Sequence, residues 1–293
     1  MAQHLDGRVL SGDASMSVRD SIRIVSPGHL AFTVTLIALG ITGFVTRDFS
    51  QMWQPVPKWV PGRTALVFLC ALISLGTGIG IAVRRSALAA SRVLLVALLI
   101  WLLVLRLPNL FYEHPVVLVG WTFGSTAVMV AAAWVLYTWF ANERDSAHPG
   151  ILADAAGLRI ARTLYGLSMI PFGLAHFMYL DATTVLIPDW LPGHVALAYF
   201  TGAAFIAAGL AVCVGVLAYP AAALSALQMG LFTLIVWVPR MLTGNVTEFQ
   251  RGEFVSSCAL TAGAWVVAES YRARRGPPGR KSHRPIEMTG NAA

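Results

Sequence analysis

His176 is the residue with the clearest chemical potential, because it lies near the end of a long apolar run that also contains Pro171. An ionisable side chain in such a run is costly unless it bonds a neighbour or serves a binding site. Two interpretations follow. The imidazole bonds a loop carbonyl or the carboxylate of Asp181 or Asp189, or it forms part of a ligand site at this end of the run.

Other polar residues occur at unusual places in the apolar runs. Arg240 follows Pro239 near the end of one run, where it either extends to the membrane interface or pairs with a carboxylate. Gln228 lies in the middle of the same run, where its amide bonds a neighbouring helix or the carbonyl of a quinone or lipid. The candidates for ligand binding are therefore His176, Asp181, Asp189, Trp190, Gln228 and Arg240.

Patterns typical of catalytic or metal sites do not occur in the sequence. No two histidines are three or four residues apart, a spacing that would place both imidazoles on one helix face. The three cysteines, at 70, 213 and 258, are isolated in apolar runs and form no C-x-x-C pair. We predict no catalytic residue and no metal site, and a quinone is the one cofactor that the pattern allows.

The elements that must position these residues are membrane helices. Only 12% of the residues are charged and 57% are hydrophobic, whereas a soluble domain has about 25% charged residues. A membrane-spanning helix needs roughly 20 mainly apolar residues. Eight runs meet this requirement: 30–46, 63–83, 87–107, 115–141, 158–179, 194–217, 218–241 and 254–271.

The basic residues predict an orientation. Of the 21 Lys and Arg residues, 15 lie in the two termini and in the loops on the same side as the termini. The positive-inside rule then predicts a multi-pass protein of the bacterial cytoplasmic (inner) membrane with both termini in the cytoplasm. The net charge of +7 is explained by helix ends and a basic tail that contact anionic lipid. We therefore expect membrane lipid and no nucleic acid among the partners.

A repeat relates the two halves of the chain at a constant sequence offset, here called the repeat offset, which pairs Pro57 with Pro188. The register holds without a gap over 57–140, and one residue is skipped upstream so that Gly43 meets Gly173. Four helices in each half give both halves the same orientation, with a pseudo-two-fold axis along the membrane normal. Further aligned pairs are Gly62 with Gly193, Gly78 with Gly209 and Trp134 with Trp265.

The predicted fold is thus an all-α polytopic membrane protein of eight transmembrane helices in two tandem four-helix bundles. The predicted segments are an N-terminal cytoplasmic segment (1–28), a first repeat (29–141), a cytoplasmic linker (142–157), a second repeat (158–271) and a disordered basic cytoplasmic tail (272–293).

The second repeat resembles the DoxX-like family of bacterial membrane proteins. The resemblance lies in Gly-Leu-Ala-His-Phe at 173–177, Ile-Pro-Asp-Trp-Leu-Pro at 187–192 and Tyr-Phe-Thr-Gly at 199–202. It implies four-helix bundles and functions such as thiosulfate:quinone oxidoreduction, thiol-stress complexes or chaperone and cargo-receptor roles. The first repeat departs from this pattern, because Thr46 stands where His176 stands. A function tied to the histidine would belong to one half only.

Three functions are compatible with these features. We expect a binding or accessory component that holds a lipid-like molecule, a quinone or a partner protein at the outer face. The alternative is the membrane subunit of a quinone-linked oxidoreductase, so enzyme activity stays open. A small-solute transporter is the third, and the near absence of charge within the apolar runs disfavours it for ions.

Overall fold

The computed structural model describes residues 26–53, 56, 60–112, 116–144, 152–244 and 246–272. The predicted N-terminal segment up to residue 25, most of the predicted linker and the basic tail from residue 273 lie outside these ranges. Within the described residues the chain is all-helical. The long helices are α1 (Pro27–Thr46), α2 (Arg63–Ala82), α3 (Ala87–Trp101), α4 (Val116–Arg144), α5 (Ala155–Met178), α6 (His194–Val214), α7 (Ala218–Phe232) and α8 (Glu248–Arg272).

Shorter helical segments complete the described chain. Both α3 and α7 continue into five-residue π-helical segments, Leu102–Arg106 and Thr233–Trp237. The remaining segments are a 3₁₀ turn at Gln51–Trp53 and short helices at Asn109–Tyr112, Leu180–Thr184 and Val238–Leu242.

Six helices in the described part of the chain are long and apolar enough to cross a membrane, which indicates a membrane protein. They cover Pro27–Thr46, Arg63–Ala82, Ala87–Tyr112, Val117–Glu143, His194–Val214 and Ala218–Leu242. The helices α5 and α8 have 24 and 25 residues, which is sufficient length, but they contain more polar residues. Six of the eight predicted spans therefore have helices of spanning character, and the other two stay predictions.

Several helix boundaries recur at the repeat offset found in the sequence. The helices α2 and α6 begin at residues 63 and 194, and α3 and α7 cover 87–101 and 218–232. The two π-helical segments occur at 102–106 and 233–237. Gly62 and Gly193 precede α2 and α6 with positive φ angles of 70° and 71°, a conformation that favours glycine. The same offset separates the members of each of these pairs.

The centre of the molecule is formed by α4 and α8, which pack against each other. Most side chains from Ala127 to Leu136 in α4 are fully buried, and Ala264, Val266 and Val267 of α8 are buried with them. Helices that are consecutive in the chain pack side by side, and α8 also packs against α1. The first helix of each predicted repeat thus contacts the last helix of the other, as α1 contacts α8 and α5 contacts α4.

Polar groups within this bundle bond across helices. Arg162 of α5 is 6% exposed, and it donates to the hydroxyl and the carbonyl oxygen of Ser270 in α8. The hydroxyls of Tyr165 and Ser225 are 2.7 Å apart, which connects α5 to α7. Such pairing is expected where no water can compensate a buried polar group.

The helices α5 and α6 are in backbone contact, which fixes the position of His176. A Cβ atom on Gly173 would lie 2.4 Å from the Gly202 carbonyl oxygen and 2.5 Å from Ile206 Cγ1. Small residues allow this approach in membrane helices. The contact brings the α5 residues that flank Gly173 against the α6 residues that face them.

We expect Gly173→Ala to lower the free energy of unfolding, because overpacking a tight contact costs about 1–3 kcal/mol. Gly76→Ala in α2 is the control, since a Cβ atom there meets nothing within 4 Å. That variant should be neutral or gain up to about 1 kcal/mol from helix propensity. Denaturation in mixed micelles measures both, and equal stabilities of the two variants would contradict the close α5–α6 contact.

Candidate functional site

A cavity of about 160 Å³ lies beside His176. Its wall is mostly apolar and aromatic and is formed by α5, the segment 179–186, α6, α7 and α8, with Trp121 of α4 from the first half. The other residues of the wall are Phe172, Ala175, His176, Tyr179, Ala182, Thr183, Leu186, Phe205, Met229, Phe232, Trp237, Glu253, Ser256, Ser257 and Leu260. Pockets of this composition typically bind apolar small molecules and orient them with a few polar groups.

The imidazole of His176 is held by its own helix. Nδ1 lies 2.7 Å from the carbonyl oxygen of Phe172, four residues earlier. A carbonyl oxygen only accepts, so Nδ1 carries the proton and Nε2 of the neutral ring is an acceptor. The ring centre lies 5.6 Å from that of Phe205 in α6. The predicted bond to a loop carbonyl, Asp181 or Asp189 is therefore wrong, because the helix backbone supplies the partner.

Tyr179 contributes a hydroxyl that has no hydrogen-bond partner in the described part of the chain, although the oxygen is buried. The residue ends α5, with φ −115° and ψ 48°, and it is one of the residues that line the cavity. Leaving a buried hydroxyl unbonded costs about 1–3 kcal/mol. A ligand with an oxygen near this hydroxyl would remove that cost.

One face of α8 adds further polar groups. Glu253, Ser257 and Thr261 are spaced four residues apart and so share a face, and the first two line the cavity. The Ser257 hydroxyl lies 2.6 Å from that of Thr233, which in turn lies 3.0 Å from the Thr261 hydroxyl. Glu253 precedes the predicted eighth span, and burial raises the pKa of its carboxyl group. This face can donate as well as accept hydrogen bonds.

Arg240 lies beside the cavity and does not line it. Its guanidinium group donates to the carbonyl oxygens of Val185 and Leu186, each at 3.3 Å. The same group lies 5.7 Å from the ring centre of Trp237, a wall residue that ends the π-helical segment. Such segments often re-aim side chains at functional sites. Arg240 therefore connects the end of α7 to the segment 179–186, with backbone carbonyls in place of the predicted carboxylate. Its predicted extension to the membrane interface stays a prediction.

The other candidates from the sequence lie elsewhere. Gln228 donates from Nε2 to the Thr201 carbonyl oxygen at 3.0 Å, which bonds α7 to α6. Asp181, Asp189 and Trp190 are exposed and do not line the cavity, and 70% of Trp190 is accessible. Of the six candidates, the structure places His176 in the wall and Arg240 beside it.

Sequence reasoning did not select Tyr179, Phe205 or Ser257. The spacing of Glu253, Ser257 and Thr261 was a usable signal, because three polar residues on one face of an apolar helix must face the protein interior. No comparable signal identified Tyr179. The Tyr179 hydroxyl is recognisable only in the folded structure, where it is buried without a hydrogen-bond partner among the described residues.

In the part of the chain that the structure describes, no three His, Cys, Asp or Glu side chains are placed to hold a metal ion. Comparison of the chain with protein-family models, with curated proteins and with solved structures finds no match. The site is therefore interpreted from its own geometry.

Proposed function

We propose that this chain is a DoxX-like integral membrane protein that binds one lipophilic molecule with a small polar head in the cavity beside His176. The observation that carries the proposal is an apolar cavity lined by His176 and by Tyr179, whose buried hydroxyl has no hydrogen-bond partner among the described residues. An apolar body fits the aromatic wall, and an oxygen on the ligand satisfies the hydroxyl. Quinones and lipid-like molecules have both features.

The proposed architecture has eight spans in two repeats related by a pseudo-two-fold axis along the membrane normal. Support comes from the helix bounds and π-helical segments that recur at the repeat offset. Neighbour relations also recur, since α1–α2 and α2–α3 contacts have counterparts in α5–α6 and α6–α7. The distribution of Lys and Arg supports a bacterial cytoplasmic membrane with both termini in the cytoplasm. The cavity would then open toward the outer face.

A quinone-linked oxidoreductase subunit is the second candidate, and the pairing of donor and acceptor in the cavity favours it. A quinone carbonyl can accept from the Tyr179 hydroxyl, and a quinol hydroxyl can donate to His176 Nε2. The same site would hold both forms of the ligand. In this role the electrons would come from a partner protein, which the accessory role does not require.

The test is retention of a small molecule during purification in mild detergent. Native mass spectrometry should detect one bound molecule per wild-type chain. Ala182→Trp places an indole at the edge of the cavity and should reduce occupancy at least tenfold. Ala196→Trp is the matched control, because Ala196 is exposed and lies outside the wall. Equal occupancy in the two variants, or an empty wild-type protein that takes up no added lipid or quinone, would overturn the proposal.

A further inference from the structure

The first half of the chain contains a tryptophan that is buried among the helices. Trp53 is 1% exposed. Its Nε1 donates to the Ser74 hydroxyl at 2.9 Å, and its ring meets the ring of Trp101 edge-on at 5.1 Å between centres. The side chain therefore fills a space between α2 and α3.

The neighbours of Trp53 correspond to residues of the cavity wall. At the repeat offset, Ser74 matches Phe205 and Trp101 matches Phe232, and both matches line the cavity. The one-residue gap lies between Gly43 and Pro57, so Trp53 itself matches Thr183 or the adjacent Thr184, and Thr183 is a third wall residue. The space that Trp53 fills in the first half is thus the counterpart of the cavity in the second half.

The backbone explains why one space is filled and the other is open. The turn Gln51–Trp53 packs against the central helices α4 and α8. The corresponding short helix, Leu180–Thr184, packs against α5 and α6. The first segment therefore contacts the centre of the bundle, whereas the second contacts α5 and α6 and places Thr183 at the cavity.

We infer that the cavity binds a planar aromatic ring of about indole size, such as the head group of a quinone or phenol, in preference to an acyl chain. The inference rests on the proposed function and narrows its ligand. Phe205 and Phe232 offer ring faces and edges to a flat guest. Tyr179 and His176 lie at the same wall to bond oxygen substituents on the ring. Each chain then binds one aromatic ring of a ligand, because the Trp53 indole already fills the corresponding space in the first half.

The experiment measures binding to the full chain in lipid nanodiscs. The aromatic probe is 2,3-dimethyl-1,4-naphthoquinone and the acyl-chain probe is n-decane. Wild-type protein should bind one naphthoquinone per chain, at least tenfold more tightly than decane. Thr183→Trp should weaken naphthoquinone binding at least tenfold, whereas Val214→Trp, at a position 74% exposed and outside the wall, should leave it unchanged.

Trp53→Ala should create a second site, so that the stoichiometry rises from one to two naphthoquinones per chain. If that variant does not fold, the Thr183→Trp and Val214→Trp pair decides the inference alone. Equal affinity for decane, or full naphthoquinone binding by Thr183→Trp, would overturn the inference while a retained native ligand still supported the proposed function. A wild-type protein that binds neither probe and retains no ligand would overturn both.

Discussion

Replacement of Trp53 by alanine is expected to lower the free energy of unfolding by about 3–5 kcal/mol, the usual cost of removing a fully buried tryptophan. The side chain is 1% exposed, packs against Trp101 and donates a hydrogen bond to Ser74. Its removal leaves a cavity between α2 and α3 and removes the donor to the Ser74 hydroxyl. Unfolding in mixed micelles, followed by circular dichroism, measures the loss.

Trp190→Ala is the control for this variant, because Trp190 is 70% exposed. A surface substitution of this kind changes stability by no more than about 0.5 kcal/mol. Saturating indole should restore part of the stability of Trp53→Ala by occupying the vacated space. A loss below about 1 kcal/mol for Trp53→Ala would contradict the tight packing around this side chain, since such a small cost is typical of accessible sites.

Arg240→Met should weaken ligand binding at least tenfold, although Arg240 does not line the cavity. The guanidinium group bonds the carbonyl oxygens of Val185, Leu186 and Val236. Hydrogen bonds from charged groups contribute about 1.5–3 kcal/mol each, so their loss frees the segment over the cavity. Arg240 thus acts as a positioning residue, through Leu186 and Trp237.

Arg251→Met is the matched control, since Arg251 is exposed near the start of α8. The affinity of the Arg251→Met variant for the naphthoquinone should equal that of the wild type. Hydrogen exchange supplies the readout specific to positioning: residues 180–187 should exchange faster in Arg240→Met and at the normal rate in Arg251→Met. Normal exchange and normal affinity in Arg240→Met would show that the hydrogen bonds of Arg240 have no effect on the site.

Much of the fold follows from the sequence because membrane helices have a strong compositional signal. Long apolar runs predict the bounds of α2 and α6 closely, since Gly62 and Gly193 each mark a helix start with a positive φ angle. The π-helical segments Leu102–Arg106 and Thr233–Trp237 were not predicted. A single inserted residue rotates the following residues by about 100°, but these runs are apolar on nearly all sides, so the sequence pattern does not record the shift. The two segments recur at the repeat offset in the structure.

The site was predictable to a smaller extent. His176 was selected because ionisable residues are rare in apolar runs, and it lines the cavity. Asp181 and Asp189 were selected for their closeness in sequence, but the chain turns both outward. The cavity itself depends on whether the segment after the first helix of each repeat enters the bundle. Tertiary packing decides whether the segment enters. Trp53 is buried in the bundle, whereas Thr183 lines the cavity.

In the proposed architecture, the asymmetry between the halves leaves one site where the repeat offset relates two positions. The first half has Thr46 where the second has His176, and Thr122 where the second has Glu253. The imidazole and the carboxyl group are therefore found only in the half with the open cavity, whereas Ser257 has a hydroxyl counterpart in Thr126. In this proposal the first half supports the binding half through α4 and α8, which pack against each other.

Photolabelling with a naphthoquinone that carries a diazirine group tests the central claim most directly. Labelled peptides from nanodisc-embedded protein are mapped by mass spectrometry. The predicted result is labelling concentrated at residues 172–186 and 253–260, abolished by excess unlabelled naphthoquinone and by Thr183→Trp. Labelling spread evenly over lipid-facing residues such as Val104 and Leu234, unaffected by competitor or by that variant, would contradict a ligand site beside His176.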